Sequence, residues 1–225
     1  MRTSRFAGKV DALDEFFAAS LPTTLTPADP HVVSDEVSDL KSSTTQIACL
    51  LQQVQNLTNR ASKLISHRSE KQLSSRPRST SWSVAECFDH LALTTRTFAP
   101  LLAAAIGAAP KLNQDRALRS GRLARLVVRS LEPPYRLRHK VLACLAPQNR
   151  DFLPAWRSFV DSQAEFTEVI CSTMGLAIDQ ITIQSPACTR VSYSVYGALE
   201  ILTAHQRRHL WQVERILTAL DRRAA

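Results

Sequence analysis

The stretch that decides the fold is ALEILTAHQRRHLWQVERI, residues 198–216. Successive residues of an α-helix are ~100° apart around the axis. With His205 at zero, His209 falls at about 40°, Leu202 at about 60°, Ala198 and Ile216 at about 20° and Val213 at about 80°. Both histidines therefore lie inside the apolar stripe that must face a protein interior. Gln206, Arg207, Arg208, Glu214 and Arg215 fall on the other sides of the helix. The spacing has chemical content. Residues at i and i+4 stack with Cβ atoms ~5–6 Å apart, and two imidazoles so placed can reach one metal ion through bonds of ~2.0–2.1 Å.

Working outward, this helix has its N-cap at Ser194 and runs to about Asp221. Three more long helices are expected. The first spans about Ser38–Ile65, where Ile47, Leu50, Leu51, Val54, Leu57, Ala61 and Leu64 repeat at three and four. The second starts at Ser83, whose side chain and Glu86 three residues later form a capping box. Trp82 sits just before it as a candidate hydrophobic staple, and Gly107 and Pro110 stop the helix. The third covers about Asp151–Met174, with Trp156, Phe159, Val160, Phe166 and Ile170 inward and Gly175 as its C-terminal cap. Residues 66–82 read as a polar loop, Gly121–Leu131 as a short helix, and 176–193 as irregular or briefly extended, since Pro186 argues against a central strand. The expected fold class is all-α, a four-helix bundle. Residues 1–36, with three prolines between Pro22 and Pro30, read as a flexible N-terminal tail outside a domain of residues 37–225.

On the second helix, the same wheel places His90 with Glu86, Cys87, Thr94, Thr97 and Leu101 on the inward side. His90, His205 and His209 thus form a candidate three-nitrogen metal site with an open position for water or substrate. The ordinary alternative is three core histidines satisfied by hydrogen bonds. His31, His67 and His139 receive no role.

Composition narrows the function. The chain of 225 residues has only five glycines, which suits helices better than a turn-rich β fold. Its five cysteines, Cys49, Cys87, Cys144, Cys171 and Cys188, lack any CxxC spacing and point to a reducing cytoplasm rather than to a disulfide framework. No secretory h-region is seen, and the longest apolar run, Phe98–Pro110, is too short to span a bilayer. The net charge of +8 belongs wholly to residues 111–150, where ten Lys and Arg face Asp115 and Glu132. Tyr135 is the lone aromatic there, so base stacking has little to work with. A lid over a small anionic substrate, or a solvated basic face, fits better than specific nucleic-acid binding.

Two motifs resemble a known family. WSVAECFDHL (82–91) resembles the W-S-x-x-E-x-x-x-H-L entry to the second helix of the DinB-like (damage-inducible) superfamily. Residues 205–212 resemble its H-x-x-R-H-x-x-Q last helix, and Glu132-Pro133-Pro134-Tyr135-Arg136 resembles a piece of one branch. The likeness covers about residues 40–220. It implies an up-down-down-up bundle that binds zinc, nickel or another divalent ion through His90, His205 and His209. It also implies thiol-dependent transferase or metal-dependent hydrolase chemistry. The rival expectation is a binding or structural protein, a bundle that holds metal without turnover or forms a homodimer through an apolar helix face. Auxiliary candidates are Glu86, one turn before His90, and Arg208, at about −60° on the wheel, as a clamp for an anionic substrate. Their ordinary alternatives are the capping box and a surface ion pair. Gln206 stands where a zincin carries its glutamate base, so an amide replaces the group that peptide hydrolysis would need. The expectation is a metal-dependent transferase acting on a low-molecular-weight thiol and a small-molecule substrate.

Overall fold

The computed structural model describes residues 42–133, 141–186 and 188–224. The expected tail at 1–36, the start of the first helix near Ser38, His31 and His139 lie outside them. Four long helices are present: α1 (Ser43–Ile65), α3 (Val84–Gly107), α5 (Phe152–Cys171) and α6 (Val195–Ala224). Three smaller pieces join them: α2 (Glu70–Ser74), α4 (Arg122–Leu131) and a 3₁₀ turn at Ala143–Leu145. The segment after α5 forms an antiparallel pair of strands, β1 (Thr182–Ser185) and β2 (Cys188–Ser194), and Pro186 sits in the turn between them. The polar loop after α1 thus holds a helical turn, α2, whose capping box is closed by Ser69 and Gln72.

The capping signals act locally and give the expected starts. Ser83 accepts from the Glu86 N–H while Glu86 accepts from the Ser83 N–H, at 3.2 and 2.9 Å. Ser194 accepts from the Gly197 N–H at 3.1 Å. The expected end of α5 needs correction: the helix stops at Cys171 with Ser172 as its C-cap, and Gly175, at φ +73°, turns the chain four residues beyond it.

Helix directions follow from side-chain pairs. Gln53 and Arg60 of α1, and Arg68 just beyond its end, meet Arg207, Glu214 and Asp221 of α6 in the same order, so α1 and α6 run parallel. Phe88 and Arg96 of α3 meet Trp156 and Ser158 of α5, so these two also run parallel. The start of α3 packs with the end of α6, and the end of α1 with the start of α5, so those pairs are antiparallel. The bundle is therefore up-down-down-up. Parallel neighbours cannot be joined by a tight turn. The chain from α3 to α5 must return along the whole bundle, and that return is the basic segment carrying α4 and the 3₁₀ turn.

The apolar core is split in two. One half gathers Leu50, Leu102, Phe166, Ile170, Leu199 and their neighbours. The other gathers Phe88, Leu91, Phe159, Leu210 and Val213. Between them runs a polar layer with Thr58 from α1, His90 and Thr94 from α3, Gln163 from α5, and His205, Gln206 and His209 from α6.

Two inward assignments need correction. Val160 is 40% and Leu101 39% exposed, since each sits at the edge of its apolar stripe where no neighbouring helix reaches. The opposite correction applies to α6. Gln206, Arg207 and Arg208, placed away from the apolar stripe, are all buried. Helix α6 is flanked by α1, α3 and α4, so its polar sides are covered as well.

Candidate metal centre

The polar layer brings together the three histidines that the sequence singled out. His90 comes from the second turn of α3, which its cap anchors. His205 and His209 come from the middle of α6. His90 Nε2 lies 3.2 Å from His205 Nε2, and His209 Nε2 lies 3.1 Å from the same atom. One ring nitrogen from each histidine falls within 4.8 Å of the others. Three ligands on one ion with bonds of ~2.1 Å would be separated by ~3.0 Å at right angles and ~3.4 Å at tetrahedral angles. The separations of 3.2 and 3.1 Å fall inside that range.

Hydrogen bonding alone satisfies this arrangement poorly. His205 Nε2 carries either one proton or one lone pair. It can therefore donate to one neighbour or accept from one, and it faces two.

The tautomer of His90 is fixed by its other nitrogen. Nδ1 lies 2.7 Å from the carbonyl oxygen of Leu145. A carbonyl only accepts, so Nδ1 carries the proton and Nε2 presents its lone pair to the centre. Burial holds the His90 pKa below its ordinary value, with Leu145 and Asp89 offsetting part of the effect. His209 is pushed down further, by burial first and then by the charges of His205, His90 and Arg208. Gln212 offsets this in part without closing a full hydrogen bond to Nδ1, which has no partner among the described residues. Both rings are therefore neutral at pH 7, as ligands must be. This donor set fits a divalent ion of borderline softness.

The remaining wall comes from residues that the sequence did not point to. The half-buried Trp82 ring lies 5.0 Å from His90 and stacks on His209 at 5.9 Å with an 18° tilt. Its role thus extends beyond a helix staple. Asp89, 2% exposed, accepts from the backbone N–H groups of Gln148 and Asn149 and from the Asn149 side chain, at 2.6, 3.0 and 2.8 Å.

The auxiliary candidates sit as follows. Glu86 is buried, but both of its oxygens are engaged, one by Arg76 and the other by Arg76 and the Ser83 N–H. Burial raises its pKa, and Arg76 and Ser83 together more than reverse that, so it is held below the usual carboxylate range. Arg208 is 7% exposed, so it is no surface ion pair. Its guanidinium approaches the Ser130 carbonyl of α4 at 3.4 Å, and its charge acts on His209. Gln206 points away from the centre and pairs with Gln163 through two amide hydrogen bonds of 2.8 and 3.0 Å. Trp211 packs under Arg215, whose guanidinium carbon lies 4.7 Å from the ring. Cys87 is fully buried with its thiol pKa raised, so it behaves as a small apolar residue. His67 is exposed on the loop after α1 and is not part of the cluster.

The family model of the DinB superfamily matches residues 51–213, a span that includes all three histidines. The chain belongs to the DinB superfamily. Among solved structures, this DinB member is similar to YfiT from Bacillus subtilis, described as a probable metal-dependent hydrolase with an unusual four-helix bundle topology. The TM-score is 0.51 at 13% identity, over 81% of this chain and 89% of YfiT. At that identity the likeness establishes the fold. No curated protein matches the chain. No helix among the described residues is long and apolar enough to cross a membrane.

Proposed function

We propose that this DinB-superfamily protein holds one divalent ion, zinc or nickel, on His90, His205 and His209, and is a metal-dependent transferase acting on a low-molecular-weight thiol. The observation that carries the reading is the convergence of three Nε2 atoms: His90 meets His205 at 3.2 Å from 115 positions away in sequence, and His209 meets His205 at 3.1 Å on the same helix. An ion held by three neutral imidazoles keeps its full double charge and supplies Lewis acidity, which lowers the pKa of a thiol or water beside it.

What the chain's own residues do favours the thiol. Hydrolysis normally needs a base to shape the attack of water. The carboxylates nearest the centre are both committed, Glu86 to Arg76 and Ser83, and Asp89 to the 148–149 turn. Gln206 is turned into the core. A thiol starts from a pKa of ~8.5 and ionises at neutral pH with far less help. Arg208 offers a cation to the anionic part of a substrate, and Trp82 shields the ligand rings from water. The basic return segment then serves a small anionic ligand rather than nucleic acid, in a reducing cytoplasm that keeps thiols available.

A hydrolase is the second reading, favoured by the description of YfiT. A paired assay on metal-loaded protein separates the two. One arm offers bacillithiol, mycothiol and glutathione with a panel of electrophiles, and the other offers esters and amides without thiol. Thiol transfer that disappears in His209→Ala supports the first reading. Hydrolysis with the same dependence, and no thiol transfer, replaces it. Silence in both arms favours a bundle that binds metal without turnover.

A further inference from the structure

We propose that Asp89 is a positioning residue for the metal centre: its grip on the 148–149 turn places the Leu145 carbonyl that sets the tautomer and orientation of His90. The inference rests on the reading of His90 as a ligand.

The geometry links two adjacent side chains to one loop. His90 Nδ1 meets the Leu145 carbonyl at 2.7 Å, and Asp89 binds the same chain three and four residues later, at Gln148 and Asn149. Both Asp89 and His90 are almost wholly buried, and Leu145 is 7% exposed. Within the loop, the 3₁₀ turn is closed only by Leu145 to Leu142 and Ala146 to Ala143 backbone bonds. Among the described residues, no other side chain hydrogen-bonds the stretch from Leu145 to Asn149. Its position relative to α3 therefore depends on these two contacts, and they cooperate. Two backbone N–H groups and one amide donated to a buried carboxylate are charge-assisted and strong. A single imidazole N–H to a carbonyl is weaker and directional. The stronger anchor supplies the carbonyl at the right place, and that carbonyl fixes the ring. The sequence separation explains why the loop needs an anchor. It lies at the far end of the long return connection from α3, beyond α4, where the chain could otherwise settle in several positions.

Both oxygens of Asp89 face the turn, so its charge reaches His90 only through space, offsetting part of the effect of burial. What matters is its pattern of acceptors. Asp89→Asn can keep the shape and all three contacts, because its oxygen still accepts from the two backbone N–H groups and the Asn149 amide can flip to accept from the new Nδ2. Asp89→Ala removes every acceptor and releases the turn.

The test uses the full-length protein and two readouts. Nitrogen NMR of the metal-free protein reports which nitrogen of His90 carries its proton. Competition with a chromophoric chelator reports affinity for zinc. Wild type is expected to show a single Nδ1–H tautomer. Asp89→Ala is expected to show mixed tautomers and zinc affinity lower by about 10–100-fold. Asp89→Asn, which keeps an acceptor for both backbone N–H groups, is expected to retain both. A merely structural role would lower the melting temperature of Asp89→Ala without changing the tautomer. A wild-type tautomer and affinity in Asp89→Ala overturns the proposal. If wild type binds no zinc, the reading of the centre falls, while the tautomer measurement still decides whether Asp89 positions His90.

Discussion

His205 Nε2 lies 3.2 Å from His90 Nε2 and 3.1 Å from His209 Nε2, so the first α6 histidine is the hinge of the cluster. It touches both of the others, and removing it leaves only the edge contact of the His90 and His209 rings, with centroids 4.7 Å apart.

From this follows an ordering of ligand variants. His205→Ala, His90→Ala and His209→Ala are each expected to drop bound metal from about one equivalent to a small fraction, because two imidazoles hold a borderline ion weakly. His67→Ala, on an exposed loop, should retain wild-type content. Elemental analysis of the purified proteins checks this, and equal metal in wild type and all three cluster variants would falsify the site.

The buried amide pair gives a second test. Gln206→Glu supplies the residue that a zincin has beside its first histidine, yet this side chain pairs with Gln163, which in turn donates to Thr58, rather than with the cluster. The variant should lose stability by about 1–3 kcal/mol, since a donor is replaced at a buried hydrogen bond. It should gain no peptide hydrolysis. Urea titration and a peptide assay read the two halves separately. New hydrolytic activity would show that the side chain reaches the centre.

The packing of α4 on α6 is set by a glycine. A Cβ on Gly197 would sit 2.6 Å from the Ala124 Cβ and 2.8 Å from the Ser120 carbonyl oxygen. Both are parts of the return segment that cannot simply rotate away. Gly197→Ala is expected to destabilise by about 1–3 kcal/mol through overpacking, although alanine is the better helix former. Thermal unfolding decides it. A more stable variant would mean that α4 can shift freely.

Acid stability should depend on Asp179. Burial raises its pKa, but the Arg116 guanidinium and the Arg119 N–H outweigh that and hold it below the usual range. A carboxyl depressed in the folded state contributes stability above its unfolded value, near ~3.9, and loses it as pH falls through the folded value. Wild type should therefore weaken as pH drops from about 4 towards 2. Asp179→Asn should start less stable at neutral pH and show a shallower acid limb. Identical limbs in a denaturation series would assign the acid sensitivity elsewhere.

The readable parts of this protein were the local ones. The capping box at Ser83 and Glu86 and the N-cap at Ser194 involve residues within three positions of one another, and short spacing is what a sequence displays. Helical periodicity likewise placed His205 and His209 on one inward face and His90 on another. The resemblance of the two histidine motifs to the DinB family supplied the topology that periodicity alone leaves open.

The tertiary structure decided everything that depends on who covers whom. Periodicity says which stripe is apolar, not how many neighbours surround a helix. So Gln206, Arg207 and Arg208 looked peripheral and are buried, while Leu101 and Val160 looked buried and are exposed. The partners that complete the centre, Trp82 on His209 and Leu145 on His90, meet it across 127 and 55 positions of chain. No spacing rule marks such contacts. Trp82 reaches His209 because the start of α3 packs against the later half of α6. Leu145 reaches His90 because parallel α3 and α5 force the intervening chain back along the bundle, and that return delivers a backbone carbonyl, which has no side-chain signature in any sequence, to the ring of His90.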